Sequence, residues 1–332
     1  MNELRQTAAF WDREHSAAEF RTWMEHPLVR SAINRRIGGS REMWPLDWFS
    51  ELIAPRTFER ALSIGCGTGA LERDLIRRGL CRSVDALDAS LQSVAEAARL
   101  AALDEFGESI NYFVGDFNRL SLPRARYDLV LFHQSLHHVD ELEALLSTVM
   151  RSLTSKGLLF LDEYTGPSRT SWTPRRFAYA RCVYDRLPPS IRLHQKLPLP
   201  IHPFDPSEAI RSDEILHRTR IGFETISERP YGGNLLAPIY PGLTAASDET
   251  IASLLEEEDI WLAEHRDSHY RIVVAKPRRG VRGLVAATSY AVLAALHAAG
   301  LARGVLAARR FARRVWIALD RRIRRKPIDH YS

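Results

Sequence analysis

Residues 63–69 read Ser-Ile-Gly-Cys-Gly-Thr-Gly, so Gly65, Gly67 and Gly69 stand at alternate positions with Cys66 between the first two. Without a Cβ, such a run turns tightly and lets a ligand approach the main chain. A helix opening after it offers unpaired N–H groups to that ligand. An acid follows at Asp88, about twenty residues on, where a carboxylate can accept both hydroxyl protons of a ribose. Further along, Asp116-Phe117 and His133-Gln134-Ser135 each close an apolar run, and Leu136-His137-His138 comes next. This is the equipment for holding a nucleotide-type cofactor. Removing a proton from an acceptor oxygen would fall to His137, His138, Glu163 or His202 by side-chain chemistry. Asp162 and Arg169 could pair with acceptor hydroxyls or a phosphate.

These residues need a scaffold that brings them to one edge. Phe58–Ile64 reads as a short strand entering the glycine turn, and Leu71, Leu75 and Ile76 mark the apolar face of a helix over 71–78. Ser83–Asp88 reads as a second strand. Asp85 falls inside it, which leaves Asp88 at its end, where Ala89-Ser90-Leu91 opens a helix with Val94, Ala97, Ala98 and Ala101 on its apolar side. A third strand, Ile110–Val114, stops at Gly115-Asp116-Phe117, and a fourth, Tyr127–Phe132, stops at His133. Parallel sheets place their ligands along such an edge. A fifth strand, Gly157–Leu161, runs into Asp162-Glu163-Tyr164. Ser212–Arg220 then reads as a helix, Phe223–Arg229 and Tyr270–Lys276 as strands, and a helical insertion contains Ile251–His265.

With these positions in order, residues 56–165 resemble the class I S-adenosylmethionine-dependent methyltransferases. The resemblance implies an α/β, Rossmann-like seven-stranded sheet in the order 3-2-1-4-5-7-6, the seventh strand antiparallel, with an N-terminal helical cap and a C-terminal helical extension. It implies S-adenosyl-L-methionine as cofactor, held by Gly65, Cys66, Gly67, Gly69, Asp88, Asp116, Phe117 and His133. The reaction expected is methyl transfer to a small-molecule or glycan acceptor at a hydroxyl oxygen, with His137, Glu163 and His202 as the catalytic candidates. Direct displacement requires the acceptor atom in line with the methyl group. A nicotinamide or flavin enzyme is disfavoured, because the third glycine comes two residues after the second rather than at the dinucleotide spacing. The alternatives are a methyltransferase acting on a lipid, protein or nucleic acid, and a non-catalytic binder of the cofactor. The intact glycine motif argues against the latter. His133-Gln134-Ser135-Leu136 stands where amino-group methyltransferases carry Asn/Asp-Pro-Pro-Tyr.

A narrower resemblance rests on Asp162-Glu163-Tyr164, Gly166-Pro167-Ser168-Arg169, Asp205-Pro206-Ser207-Glu208 and Arg229-Pro230-Tyr231-Gly232-Gly233. These are similar to a bacterial branch found with polysaccharide and cell-surface glycan assembly.

At 332 residues and 45% apolar composition the chain can bury a full core. The reading divides it into a cap over 1–55, a catalytic domain over 56–278 with acceptor-side insertions at 166–206 and 234–266, and a tail over 279–332. The cap is aromatic, with Phe10, Trp11, Phe20, Trp23, Trp44, Trp48 and Phe49. Phe10-Trp11 could face a sulfonium, Arg35-Arg36 before Gly38-Gly39 reads as a joint, and Glu163 could pair with an arginine of this cap. Cys66, Cys81 and Cys182 offer neither a disulfide framework nor metal spacing, and the histidines are not paired with ligands, so no metal is expected. With no apolar leader after Met1, a reducing, cytoplasmic setting is the expectation.

Charge is uneven. From Lys276 onward fourteen Lys/Arg face two acids, a net +12, which leaves −7 for residues 1–275 against +5 overall. The basic residues are not interleaved with a recognisable recognition fold, which argues against nucleic acid as partner. Residues 283–302 carry no charge, and beyond them Phe311, Val315, Leu319 and Ile323 recur every four residues beside Trp316, among arginines including Arg313, Arg314, Arg321 and Arg324. Such a segment over 283–326 suits an anionic membrane surface at the inner membrane face. It suits equally a helical hairpin packed on the body or on a second copy in a homo-oligomer.

Overall fold

A computed structural model describes residues 22–202, 205–245 and 247–301. Phe10-Trp11, Phe20 and the basic segment from Phe311 to Arg325 lie outside the described residues. The seven strands are β1 (Phe58–Ile64), β2 (Cys81–Asp88), β3 (Ile110–Val114), β4 (Tyr127–His133), β5 (Leu153–Tyr164), β6 (Phe223–Gly232) and β7 (Tyr270–Pro277). They form one sheet in the order β3-β2-β1-β4-β5-β7-β6, as expected. β1 to β5 are parallel, and β7 runs antiparallel to both β5 and β6.

Period-two burial separates the two faces. Ala61, Leu129, Leu131, Phe160 and Val274 point to one core; Leu62, Val130, Phe132, Leu161 and Val273 point to the other. The first core is closed by α1 (Pro27–Gly38), α2 (Pro45–Ile53), α3 (Ala70–Arg77), α6 (Pro174–Arg186) and α8 (Asp248–His265). The second is closed by α5 (Leu142–Ser152), α7 (Ile215–Gly222) and α9 (Gly280–Ala298). α4 (Leu91–Leu103) follows β2 and packs on β3.

The cap is fixed by charge as well as apolar contact. The Arg36 guanidinium donates to Glu258 Oε2 at 2.8 Å, to Asp259 Oδ1 at 2.7 Å and to the Tyr231 carbonyl at 3.0 Å. Gly38 ends α1, and Gly39 caps it in the left-handed conformation at φ 91°. β5 is longer than its apolar run, because Leu153 pairs with Tyr127 ahead of Gly157. β6 passes through Pro230 to Gly232 at the sheet edge, where a proline costs no ladder bond.

Candidate functional site

The glycine turn has the expected backbone. Gly65, Gly67 and Gly69 all have positive φ, at 81°, 52° and 73°. A Cβ at Gly65 would run into the Ser135 side chain and one at Gly69 into Tyr112, whereas at Gly67 it would meet nothing within 4 Å. The first and third glycines permit packing beneath the turn, and the second leaves the ligand side open. Asp88 closes the turn from β2, accepting from the Gly67 N–H and the Ser90 N–H, both at 2.9 Å. Asp116 accepts from the Asn118 N–H at 2.9 Å, and Phe117 opens the 3-10 turn beside it, packed on the second core.

A cavity of about 310 Å³ opens against the glycine turn. Gly65, Cys66, Thr68, His133 and Asp162 form its wall on the sheet side and Trp44 on the cap side. Gly67, Gly69, Asp88, Asp116 and Phe117 lie outside this wall; the two acids mark the strand ends beside it. Burial pushes the Cys66 thiol far up, and Glu72 and Asp88 add to this, so it stays protonated.

Glu72, one turn into α3, also lines this cavity and has no exposed surface. Neither carboxylate oxygen has a hydrogen-bond partner. Burial raises its pKa; the Ser63 hydroxyl tempers that rise without meeting hydrogen-bond geometry. A buried, partnerless carboxylate in a cavity wall is suited to a cationic ligand.

His133 ends β4 with its side chain half exposed, and its Nδ1 lies 3.1 Å from Asp162 Oδ2. Asp162 is fixed in turn by the Tyr231 hydroxyl, which donates to Oδ1 at 2.6 Å. Desolvation pulls the imidazole pKa down, but the bond and charge of Asp162 outweigh it and the net shift is upward. A carboxylate can only accept, so Nδ1 carries the hydrogen and Nε2 is the basic nitrogen.

A second cavity, about 330 Å³, starts two residues further along β5, at Tyr164. Leu197, Leu199, Ile201, Pro238 and Tyr270 give it apolar walls, and Glu208, His202 and His269 supply its polar groups. His202 Nδ1 accepts from the Asp205 N–H at 3.0 Å, which assigns the proton of the neutral ring to Nε2. Burial depresses the His269 pKa to about 4. A larger cavity, about 730 Å³, shares Trp172 and His269 with the second one and is lined by Tyr179, Trp261, Asp213 and Asn234.

Glu163 and His137 lie behind these walls. Glu163 has no exposed surface; its Oε1 accepts from the Ser135 and Leu136 N–H groups, both at 2.5 Å, and its Oε2 lies 2.8 Å from His137 Nδ1. It pairs with the turn after β4 and not with a cap arginine, because it points to the face opposite Asp162 and Tyr164. Arg169 is likewise committed, its guanidinium donating to the Asp205 and Pro206 carbonyls, so it fastens the acceptor-side loop. His137 and His138 meet Glu208 from that loop, a grouping that sequence spacing did not foretell. Glu72, Glu208, His269 and the base-like pairing of His133 with Asp162 are the site features that sequence reasoning missed. For Glu72 a signal existed: it shares the helix face of Leu75 and Ile76, three and four residues on.

Comparison with known proteins agrees with this geometry. Residues 62–161 match the family model described as a methyltransferase domain. The mitochondrial ubiquinone biosynthesis O-methyltransferase of Schizosaccharomyces pombe is 31% identical over 121 residues, 35% of this chain and 43% of that protein. The sterol 24-C-methyltransferase of Eremothecium gossypii is 25% identical over 130 residues, 38% of this chain and 35% of that protein. The chain thus spans less than half the length of these curated relatives. Among solved structures, geranyl diphosphate C-methyltransferase from Streptomyces coelicolor superposes with a TM-score of 0.53 at 13% identity, covering 84% of this chain and 99% of that one, a likeness of fold.

Proposed function

We propose that this chain, whose residues 62–161 match the methyltransferase-domain model, acts as a class I S-adenosylmethionine-dependent methyltransferase and methylates a hydroxyl oxygen of a small-molecule acceptor held in the 330 Å³ cavity. The observation that carries this reading is that two cavities open beside neighbouring positions of β5: Asp162 lines the one at the glycine turn and Tyr164, two residues on, the apolar one.

S-adenosylmethionine is the cofactor, and when bound it supplies an electrophilic methyl group on a sulfonium. The residues present fit it. Gly67 leaves room against the main chain, Asp88 stands where ribose hydroxyls can exchange for its bonds to the loop, and Glu72 offers a carboxylate to a positive charge. His133, oriented by Asp162, takes the acceptor proton at Nε2. His202 donates to the acceptor from Nε2, and the aliphatic and proline walls exclude water. In this reading His137 and Glu163, first considered as catalytic groups, shape the wall from behind.

The apolar walls favour an acceptor with a hydrocarbon body. That supports a lipid-like molecule delivered from an anionic membrane surface, to which the charge-free face of α9 and the basic segment after it are suited. A glycan acceptor is the second reading, favoured by the larger cavity, where Trp172, Tyr179 and Trp261 stand among Asp213, Asn234 and Asp267. Aromatic faces with convergent polar groups suit a sugar ring.

The test is calorimetric titration of S-adenosylmethionine and its demethylated product into the full chain and an Asp88→Ala variant, followed by acceptor screening with a labelled methyl donor. Saturable binding weakened in the variant, with label entering phenolic or isoprenoid hydroxyls, is the expected outcome. Absence of binding to folded wild type would end the reading; label entering sugars alone would move it to the larger cavity.

A further inference from the structure

His137 and His138 stand in the 3-10 turn Leu136–His138 after β4, and Glu208 belongs to the loop before α7. The fold brings them to one point. Glu208 Oε2 lies 3.6 Å from His137 Nε2 and 3.6 Å from His138 Nε2, and one ligand atom from each of the three falls within 4.8 Å of the others.

Which nitrogens carry hydrogen follows from the groups behind them. Glu163 Oε2, 2.8 Å from His137 Nδ1, can only accept, so that nitrogen is the donor. On His138, Nδ1 lies 3.0 Å from Ser207 Oγ, whose own hydrogen goes to Asp205 Oδ1 at 2.7 Å; the serine oxygen therefore accepts from the ring. Each ring thus turns its Nε2 toward one carboxylate oxygen of Glu208. At 3.6 Å these contacts are longer than hydrogen bonds, and a cation seated between the three ligand atoms would be in reach of all of them.

We propose that His137, His138 and Glu208 bind one divalent transition-metal ion, zinc or a metal of similar preference. Around such an ion at about 2.0–2.1 Å, tetrahedral ligand atoms stand about 3.3 Å apart, close to the two 3.6 Å distances from Glu208. Two imidazoles and a carboxylate suit zinc, iron or nickel, whereas magnesium and calcium prefer an all-oxygen set. Glu163 completes a carboxylate–histidine–metal arrangement and is itself fixed by the Ser135 and Leu136 N–H groups, which makes it a positioning residue. Three protein ligands leave one coordination position. Glu208 lines the 330 Å³ cavity, so that position lies on the cavity side, open to water or to an oxygen of the bound molecule. The rival occupant of the gap is a proton shared between His137 and Glu208.

The test uses the full, tag-free chain, stripped with chelator and checked for folding by circular dichroism, and it has no need of methyl transfer. Calorimetry with zinc chloride is expected to show one ion per chain, and cobalt(II) to give the visible bands of a tetrahedral site. Glu208→Gln, close to isosteric, and His138→Ala should weaken uptake on the order of 100-fold, and Glu163→Gln by about 10- to 100-fold. Glu141→Gln, in the partly exposed Asp140, Glu141 and His297 group, should leave it unchanged. Failure of folded wild type to take one ion, or equal uptake by Glu208→Gln and wild type, would assign the gap to the shared proton and overturn the proposal.

Discussion

A carboxylate with no exposed surface and no hydrogen-bond partner, such as Glu72, costs about 1–3 kcal/mol in the ligand-free chain. Its folded pKa is raised, so between the ordinary value of 4.5 and that higher value the folded state binds more protons than the unfolded, and stability falls as pH rises. Glu72→Gln should therefore raise the Tm of the ligand-free protein at pH 8, raise it less at pH 4, and weaken S-adenosylmethionine binding at least tenfold, about 1.4 kcal/mol. Thermal melts at the two pH values and calorimetry check this; unchanged affinity would dismiss Glu72 as a partner of the cofactor's charge. For His133 the sign is opposite in origin. Asp162 holds the imidazole pKa above its ordinary 6.5, so the acid limb of kcat/KM should move to lower pH in Asp162→Asn, with the rate falling by about 10²–10⁴ as orientation is lost. A limb that stays in place would remove His133 as the base. The placements legible in the sequence, those of Gly65 to Gly69, Asp88 and His133, are the ones fixed by the end of a strand. Glu72 and Glu208 were not legible as site residues, because their role depends on what packs above them, from elements remote in the chain.

At the level of elements, a buried charge cluster fixes α5 against α7 where apolar contact alone leaves their register open. Arg211 donates to Glu143 at 2.7 and 2.9 Å and to Glu214 at 3.0 Å, while Arg218 lies 2.8 Å from Glu143, tying α5 to α7. Burial would raise the Glu143 pKa, but Arg211 and Arg218 outweigh it and hold it below the ordinary 4.5. Glu214 is lowered in the same way. The stability these groups contribute is present above the ordinary carboxylate value and is lost as pH falls through the depressed values, so acid unfolding should begin below about pH 4.5. Arg211→Ala leaves Glu143 buried and short of a partner and should cost about 3–5 kcal/mol in urea unfolding at pH 7, with much of the acid sensitivity abolished. Retained acid sensitivity would place that sensitivity elsewhere. Strand positions were legible because β1, β2 and β4 are short apolar runs that stop at Gly65, Asp88 and His133, while the sheet order followed from the family resemblance. The ends of β5 and β6 were not legible: β5 resumes pairing at Leu153 beyond an irregular stretch at Thr154-Ser155-Lys156, and β6 pairs on through Pro230, where composition signals a stop.

For the molecule as a whole, the sheet separates a ligand side from a side bearing α9. That helix turns Ala286 and Tyr290 into the second core and leaves Val281, Leu284, Val285 and Val292 exposed. It is the one helix among the described residues long and apolar enough to cross a membrane. If this face meets lipid, Leu284→Glu with Val292→Glu should lower binding to anionic vesicles about tenfold while changing stability by no more than about 0.5 kcal/mol per site. Unchanged vesicle sedimentation would leave the face to some other partner. The sequence showed the charge-free stretch but not which side of it is covered, since alanine dominates both. The three thiols also differ in a way that can be used. Cys81 is buried with its pKa pushed up to about 12, the Cys66 thiol is held protonated within the glycine turn, and Cys182 on α6 is exposed. A maleimide dye should therefore label the unaltered chain at one place, two residues from Ala180 in the wall of the 730 Å³ cavity. Its fluorescence would report occupancy of that cavity without any engineered reporter, and so distinguish a sugar bound there from an acceptor held in the 330 Å³ cavity.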